Sequence, residues 1–249
     1  QRQMCIRDSM KVFPMCPDCL QEYKDPLDRR FHAQPNACDV CGPHVELKDK
    51  TGAPVSCEDE IAELLRQIQG GKIAAVKGLG GFHLVCDAAN AVAVSELRRR
   101  KHRPFKPFAV MTLNDLSASR FVRISEKASK ELHSPQAPIV LCPKTNDADR
   151  LLPGIAPELN RIGIMMPYTP IHWLLFFEAI GRPEDPDWYK KECDLVLVMT
   201  SANAGGEPLV IGNDEAVQKL DGIADLFLTH NRDILIRCDD SVMQQRDQD

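Results

Sequence analysis

Four cysteines near the start of the chain constrain its fold more than any other feature. Cys16 and Cys19 form one C-x2-C pair, and Cys38 and Cys41 form a second pair after a gap of eighteen residues. Two such pairs, each on a tight turn, can arrange four thiolate sulfurs as a tetrahedron around one zinc ion. Four unrelated thiols or two disulfides are the alternatives. A four-thiolate site has no open coordination position, so we expect the zinc to be structural and the chemistry to lie elsewhere.

The composition is that of an ordinary globular protein. Of 249 residues, 43% are hydrophobic and 27% are charged, and the net charge of −5 gives no general reason to expect nucleic acid as the main partner. The apolar runs are all much shorter than the ~20 residues that span a bilayer, so we expect no membrane partner. The other cysteines show no disulfide framework, and their use fits a reducing cytoplasm.

The chain divides by composition into a small module and a larger domain. Residues 11–50 are polar and turn-rich, so we expect a zinc-finger module that depends on its metal for stability. Residues 1–10 carry no periodic pattern and are left out of the fold prediction. A linker by composition follows at residues 48–59, and the larger domain is predicted over residues 58–249.

Strands and helices alternate through the larger domain. Apolar runs predict strands at residues 72–78, 82–88, 107–112, 138–142, 162–166, 194–201 and 227–230. Helical spacing and capping residues predict helices at residues 58–69, 90–100, 125–132, 169–180 and 214–220. Strands with helices between them indicate an α/β domain.

The segments that can carry chemistry lie at strand or helix ends, where ligands of open α/β sheets collect. In the first, Lys77 to His83, three glycines follow a buried strand and allow a ligand to approach the backbone. Lys77 can meet an anion there. The alternative is a simple tight turn between two strands.

A second segment, Arg98 to Lys106, places seven potential cations in nine positions. Prolines interrupt the run and a buried strand follows it, which holds Lys101, Arg103 and Lys106 near a sheet edge. Fixed cations suit a phosphate or pyrophosphate. A solvated charged face and an RNA-binding surface are the alternatives.

Two further segments carry polar side chains at strand ends. Thr200 to Asn203 follow a buried strand, and their hydroxyl and amide groups can fix a phosphate or a carbonyl oxygen, although Ser and Asn are also common in turns. The segment His230 to Val242 mixes arginines with two adjacent aspartates that can hold magnesium or form salt bridges. His83 and His172 adjoin apolar residues, a setting typical of structural histidines.

Long segments of the sequence resemble one known family. CPDCLQEYKDPLDRRFHAQPNACDVCGP is similar to the second zinc module of the HypF carbamoyltransferases of nickel–iron hydrogenase maturation. KGLGGFHLVCDA, RKHRPFKPFAVM, MMPYTPIHWLL, TSANAGGEP and HNRDILIRCDDSV resemble successive segments of the YrdC-like domain of that family. The resemblance runs from Met10 to Val242, and it implies an internal, C-terminally truncated part of a longer protein.

The resemblance implies both a fold and an activity. The fold would be a YrdC-like open twisted mixed sheet with flanking helices, preceded by the zinc finger. The activity would be the reaction of carbamate, derived from carbamoyl phosphate, with Mg-ATP to give carbamoyl adenylate and pyrophosphate, followed by carbamoyl transfer to a HypE-type acceptor protein. An RNA-binding YrdC-like module and a related small-molecule O-carbamoyltransferase are the alternatives.

The resemblance also assigns site residues. Lys101 and Arg103 match the K-x-R pair that holds the nucleotide phosphates, and Ser201 and Asn203 match the S-x-N pair near the α-phosphate and the acyl group. These four would be the catalytic residues. The cleft for ATP and the carbamoyl group would also include Lys77, Gly80, His83, Lys106, Thr200 and Arg237. Attack of a carbamate oxygen on phosphorus builds negative charge, which cations, neutral donors and magnesium stabilise without a side-chain nucleophile.

Overall fold

A computed structural model of the protein describes residues 2–203 and 207–244, with side chains from residue 6 onward. The strands in chain order are β1 (Val45–Asp49), β2 (Ala74–Lys77), β3 (Phe82–Asp87), β4 (Ala109–Met111), β5 (Ile139–Pro143), β6 (Arg161–Met165), β7 (Leu197–Ser201), β8 (Leu226–His230) and β9 (Val242–Met243). Within the described residues they form one mixed sheet in the order β1-β8-β2-β3-β7-β4-β6-β5-β9.

Helices surround this sheet. They are α1 (Arg2–Met10), α2 (Pro17–Lys24), α3 (Glu60–Gln69), α4 (Ala91–Arg100), α5 (Asp115–Ala118), α6 (Glu126–Leu132), α7 (Ala148–Leu151), α8 (Pro170–Ala179) and α9 (Asn213–Lys219), with a 3₁₀ turn at Trp188–Lys190. In the part of the chain that the structure describes, no helix has the length and apolar character needed to cross a bilayer.

The sheet separates two hydrophobic cores. Alternate residues of β3 point to opposite faces, so Leu84 joins a core shared with α4, α6 and α9, while Val85 joins a core shared with α3 and α8. Burial on both faces explains why the strands have nearly continuous apolar sequences. The predicted α/β class, with a mixed sheet and flanking helices, is confirmed.

Capping residues set the starts of the long helices close to where the sequence predicts them. The Asp59 side chain accepts hydrogen bonds from the backbone N–H groups of Ile61 and Ala62, both at 2.9 Å. The helix α3 begins directly after Asp59, at Glu60. Asn90 and Thr169 cap α4 and α8 in the same way. Each cap satisfies backbone donors that would otherwise lack a partner in the first turn.

The sheet includes residues that the sequence assigns elsewhere. The predicted zinc module extends to residue 50, but residues 45–49 form β1 and pair antiparallel with β8 along their whole length. The predicted linker then folds back on this strand, because the Val55 N–H donates to the Leu47 carbonyl at 2.8 Å. The division into domains stays a prediction, and β1 connects the cysteine segment directly to the sheet.

Candidate functional site

The four cysteines predicted as zinc ligands converge. Their Sγ atoms all lie within 4.8 Å of one another, and the cysteines form no disulfides. Two of the separations, Cys16 to Cys38 and Cys38 to Cys41, are 3.7 and 3.8 Å. A tetrahedron with Zn–S bonds of about 2.3 Å has edges of about 3.8 Å. The four sulfurs therefore have the spacing of a zinc site with four thiolate ligands.

Local structure holds the two cysteine turns in place. Cys16 precedes α2 and Cys19 lies in its first turn, where the Cys19 carbonyl accepts a hydrogen bond from Asn36 Nδ2 at 2.8 Å. Gly42 closes the second turn, and a Cβ at that position would lie 2.6 Å from the Cys38 carbonyl oxygen. Backbone hydrogen bonds from Cys16 and then Cys38 lower the pKa of the Cys41 thiol to about 6, whereas burial raises the pKa of the Cys19 thiol in the same cluster.

The predicted K-x-R and S-x-N pairs meet at the end of β7. Lys101 follows α4, and its Nζ donates to the Ser201 carbonyl at 2.6 Å, to the Asn203 carbonyl at 2.9 Å and to Asn203 Oδ1 at 3.3 Å. Ser201 Oγ also donates to Asn203 Oδ1, at 2.9 Å. Burial, and then the neighbouring charges of Arg103 and Lys106, lower the pKa of Lys101 to about 8. The ammonium group is therefore fixed against the strand end and still largely protonated at neutral pH.

Arg103 reaches the same strand end from the loop before β4. Its Nη1 donates to Thr200 Oγ1 at 3.0 Å, and its guanidinium lies over the Phe108 ring at 5.0 Å from the centroid. Burial, and then the charge of Arg98, lower the pKa of Arg103 below the usual arginine value, but arginine keeps its charge at neutral pH. Two fixed cations thus border one hydroxyl-bearing strand end.

Arg98 stabilises the conformation of this loop. The sequence alone does not distinguish Arg98 from its neighbours Arg99 and Arg100. Its guanidinium donates to five backbone carbonyls, those of Arg103, Pro104, Lys106, Gly154 and Ile155. It also lies over the Phe108 ring, at 4.5 Å from the centroid. The planar fork of arginine suits this arrangement, whereas a lysine ammonium would satisfy fewer of the carbonyls.

Replacing Arg98 by lysine is therefore expected to lower the free energy of unfolding by about 1–3 kcal/mol, because several carbonyls lose their hydrogen bond to a charged donor. Urea unfolding measures the change. Arg99→Lys is the matched control, because the exposed Arg99 side chain pairs with Glu96 on the helix surface. Equal stability of the two variants would contradict the assigned role of Arg98.

Arg99 and Arg100 of the basic run pair with acidic side chains of the same chain. Arg99 and Arg100 both donate to Glu96, and Arg100 also donates to Asp225 at 2.9 Å. The predicted run of cations is therefore not one open basic face of the kind that tracks a nucleic acid backbone. These contacts weaken the RNA-binding alternative.

A histidine lies opposite Ser201 in the sheet. His83 of β3 is the cross-strand partner of Ser201, so both side chains point to the same face. His83 Nε2 lies 2.9 Å from Asp240 Oδ2, and Tyr168 Oη donates to Asp240 Oδ1 at 3.4 Å. His172 packs edge-on against the Tyr168 ring, and burial, followed by the charge of His83, lowers the pKa of His172 to about 3. His172 is therefore a neutral, packed histidine, as its apolar neighbours predict.

Asp240 belongs to a strap, residues 231–241, that leads from β8 across to β9 at the far edge of the sheet. The Cys238 N–H donates to the Gly80 carbonyl at 3.1 Å. A Cβ on Gly80 would lie 2.3 Å from the Cys238 carbonyl oxygen, so only glycine allows this approach. The role assigned to Gly80 thus includes close backbone packing against the strap.

Three of the predicted site residues have other surroundings. Lys77 is buried and donates to the His230 carbonyl at 3.0 Å, while burial lowers its pKa. Lys106 is exposed, and its carbonyl, not its side chain, contacts Arg98 and Arg103. Arg237 is exposed and donates to the Leu209 carbonyl at 2.8 Å. Of the predicted cations, Lys101 contacts the Ser201 carbonyl, while Arg103 contacts Thr200, whose side chain points to the opposite face of β7 from that of Ser201.

Comparison with protein families identifies both parts of the chain. The model of the Sua5/YciO/YrdC family, described as telomere recombination, matches residues 66–249. The chain belongs to this family. The model described as the HypF finger matches residues 15–47, which contain all four clustered cysteines.

Curated relatives of this Sua5/YciO/YrdC family member are transferases. Carbamoyltransferase HypF2 of Cupriavidus necator is 54% identical over 92% of this chain and 35% of its own length. Carbamoyltransferase HypF of Rhodobacter capsulatus is 48% identical over 96% of this chain and 30% of its own length. The resemblance to HypF carbamoyltransferases is confirmed, and the chain spans about a third of the length of these relatives.

Solved structures also show similarity to HypF. Full-length HypF in a phosphate- and nucleotide-bound form superposes with a TM-score of 0.83 at 45% identity, over 95% of this chain and 29% of that chain. Sua5 of P. abyssi in complex with L-threonine superposes with a TM-score of 0.59 at 18% identity, over 75% of this chain and 51% of that chain. The second match supports the YrdC-like fold alone.

Proposed function

We propose that this chain performs the ATP-dependent adenylation of carbamate within a HypF-type carbamoyl transfer. One observation carries the proposal: the ammonium of Lys101 and the guanidinium of Arg103 converge on the strand end that bears Thr200, Ser201 and Asn203. Relatives named carbamoyltransferase and a homologous HypF structure described as phosphate- and nucleotide-bound support it.

The reaction needs positioned charge and no covalent intermediate with the protein. A carbamate oxygen attacks the α-phosphorus of ATP, the bond from that phosphorus to the bridging oxygen breaks, and pyrophosphate leaves. Negative charge spreads over the phosphate oxygens during this step. Lys101 and Arg103 are placed to stabilise this charge, and Ser201 supplies a hydroxyl that can rotate from Asn203 to a phosphate oxygen. Magnesium enters with ATP as part of the substrate.

The hydrogen bonds already present prepare the site for this role. Lys101 holds the two carbonyls and the amide oxygen at the end of β7, while Asn203 Nδ2 donates to the Glu207 carbonyl at 2.7 Å. These bonds fix the strand end before ATP binds. The positive charge of Lys101 is therefore already in place and need not move during the reaction, and such preorganised charge is usually the largest source of electrostatic catalysis.

The partners follow from the same proposal. Carbamoyl phosphate supplies carbamate, and a HypE-type protein of hydrogenase maturation accepts the carbamoyl group. The HypF finger holds structural zinc, and the cytoplasm provides the reducing conditions that keep its thiols free. Because Arg99 and Arg100 are paired with Glu96 and Asp225, the structure gives less support to RNA as a partner.

Exchange of labelled pyrophosphate into ATP tests this function in the whole chain. The proposal predicts exchange that requires magnesium and increases with freshly dissolved ammonium carbamate. Calorimetry without carbamate measures ATP binding separately. Pyrophosphate exchange that does not depend on carbamate, or a chain that does not bind ATP, would contradict the proposal.

A further inference from the structure

One buried polar atom beside the candidate site has no hydrogen-bond partner. The His83 side chain is 9% exposed, and its Nδ1 contacts no hydrogen-bonding group among residues 2–203 and 207–244. Leaving a buried polar atom unpaired is costly, so such atoms in native proteins need an explanation. A ligand group that supplies the missing bond is one such explanation.

Asp240 determines whether Nδ1 of His83 acts as a hydrogen-bond donor or as an acceptor. Burial raises the pKa of Asp240, but the hydrogen bond and charge of His83 together with the hydrogen bond from Tyr168 and the charge of His172 lower it overall, so the group is a carboxylate. A carboxylate only accepts hydrogen bonds. The hydrogen of a neutral His83 must therefore reside on Nε2, 2.9 Å from Asp240 Oδ2. Nδ1 is left with a lone pair and can only accept.

His83 Nδ1 lies beside the glycine loop, and the His83 side chain is on the face of the sheet that also bears the Ser201 side chain. A Cβ built on Gly78 would lie 3.2 Å from His83 Nδ1, so the ring packs closely against the Gly78 backbone and a larger residue there would crowd Nδ1. The loop of residues 78–81 lies against the ring, and the Gly78 N–H donates to the Gly81 carbonyl at 2.9 Å, so a ligand reaches Nδ1 when this turn opens.

We propose that His83 Nδ1 accepts a hydrogen bond from the amino group of the carbamoyl substrate, and that Asp240 is the positioning residue that keeps Nδ1 free of hydrogen. This inference rests on the proposed function and adds a basis for acyl specificity. A carbamate carries N–H donors for Nδ1, whereas an acetate of similar size presents a methyl group. A site that pairs a buried polar atom with its substrate rejects an analogue without that group.

Nitrogen NMR of the wild-type chain tests the acceptor directly. The spectra are recorded at pH 8.5, where imidazole is ordinarily neutral, with α,β-methylene ATP bound so that no adenylation occurs. The expected spectrum shows hydrogen on Nε2 of His83 and none on Nδ1, and the Nδ1 resonance shifts when carbamate is added but not with acetate. Hydrogen on Nδ1, or a resonance that carbamate leaves unmoved at saturation, would overturn the inference.

Asp240→Asn tests the positioning role. With Tyr168 donating to the asparagine oxygen, the amide nitrogen donates to Nε2 and forces the hydrogen onto Nδ1. The expected result is a KM for carbamate in pyrophosphate exchange that rises roughly ten- to hundred-fold, with ATP affinity unchanged. Asp239→Asn removes the same charge from the exposed neighbouring residue and is the matched control.

The outcomes separate the two proposals. Wild-type exchange that requires carbamate, together with an unchanged KM in Asp240→Asn, would overturn the role of His83 and leave the adenylation proposal intact. Absence of carbamate-dependent exchange in the wild type would overturn both. If Asp240→Asn fails to fold, the wild-type NMR titration still decides whether Nδ1 is the acceptor.

Discussion

Replacing Lys101 by alanine is expected to lower the rate of carbamate-dependent pyrophosphate exchange at least about 100-fold, the scale measured when one preorganised donor is removed from a transition state. The Lys101 ammonium is the group that joins the K-x-R loop to Ser201 and Asn203. Its loss removes a fixed cation from the proposed phosphate site and releases the strand end. The exchange assay and calorimetric ATP binding measure the two effects separately.

Arg99→Ala is the control for this variant. It removes one positive charge from the same run, but Arg99 is exposed and pairs with Glu96 on the surface of α4. The control is expected to keep the exchange rate within about twofold of wild type, because surface ion pairs contribute little to stability. Equal exchange in Lys101→Ala and Arg99→Ala would contradict the role assigned to Lys101.

Replacing Cys38 by serine is expected to abolish tight zinc binding and to unfold the turns of residues 16–43, while the sheet stays folded. Zinc contributes about 10–16 kcal/mol to small modules of this type, more than a polar segment can replace. The sheet has its own two cores, and β1 is held by its pairing with β8. Metal analysis of reduced protein and limited proteolysis measure the two outcomes.

Cys57→Ser is the control, because Cys57 is partly buried and lies outside the sulfur cluster. It is expected to keep about one zinc per chain, as is the wild type, the stoichiometry of a single four-thiolate site. A Cys38→Ser variant that retains one tightly bound zinc would contradict the four-thiolate assignment. Collapse of the whole sheet in that variant would show that the finger and the sheet fold as one unit.

The sequence predicts those elements whose signals are local. α3 and α4 combine helical spacing with the caps Asp59 and Asn90, and α8 begins at Pro170 after the cap Thr169; all three form within two residues of the predicted bounds. The long buried strands are equally clear, because residues that pack on both faces must be apolar. The four cysteines need only their spacing to predict one cluster.

Elements that depend on distant partners escape such prediction. β1 has the mixed sequence VELKD and becomes a strand by pairing with β8, some 180 residues later in the chain. β9 has two exposed residues at a sheet edge, and neither carries a pattern of its own. Their existence follows from the completed sheet and not from local preference.

The candidate site shows the same limit. Arg98, Arg99 and Arg100 are identical in sequence, yet only the fold directs Arg98 onto the carbonyls of the loop. The contact of His83 with Asp240 joins residues 157 positions apart, and nothing near either residue predicts it. The resemblance predicts Lys101 and Arg103 beside Ser201; Lys101 contacts the Ser201 carbonyl and Arg103 contacts the neighbouring Thr200 hydroxyl, and the roles of these residues stay a prediction.

A crystal structure of the chain with Mg²⁺ and α,β-methylene ATP tests the central claim most directly. The account predicts the α-phosphate within about 3.2 Å of a donor on Lys101 or Arg103 and of the Ser201 hydroxyl, with Nδ1 of His83 on the side where carbamate enters. A triphosphate bound elsewhere, with Lys101 still hydrogen-bonded only to Ser201 and Asn203, would contradict it.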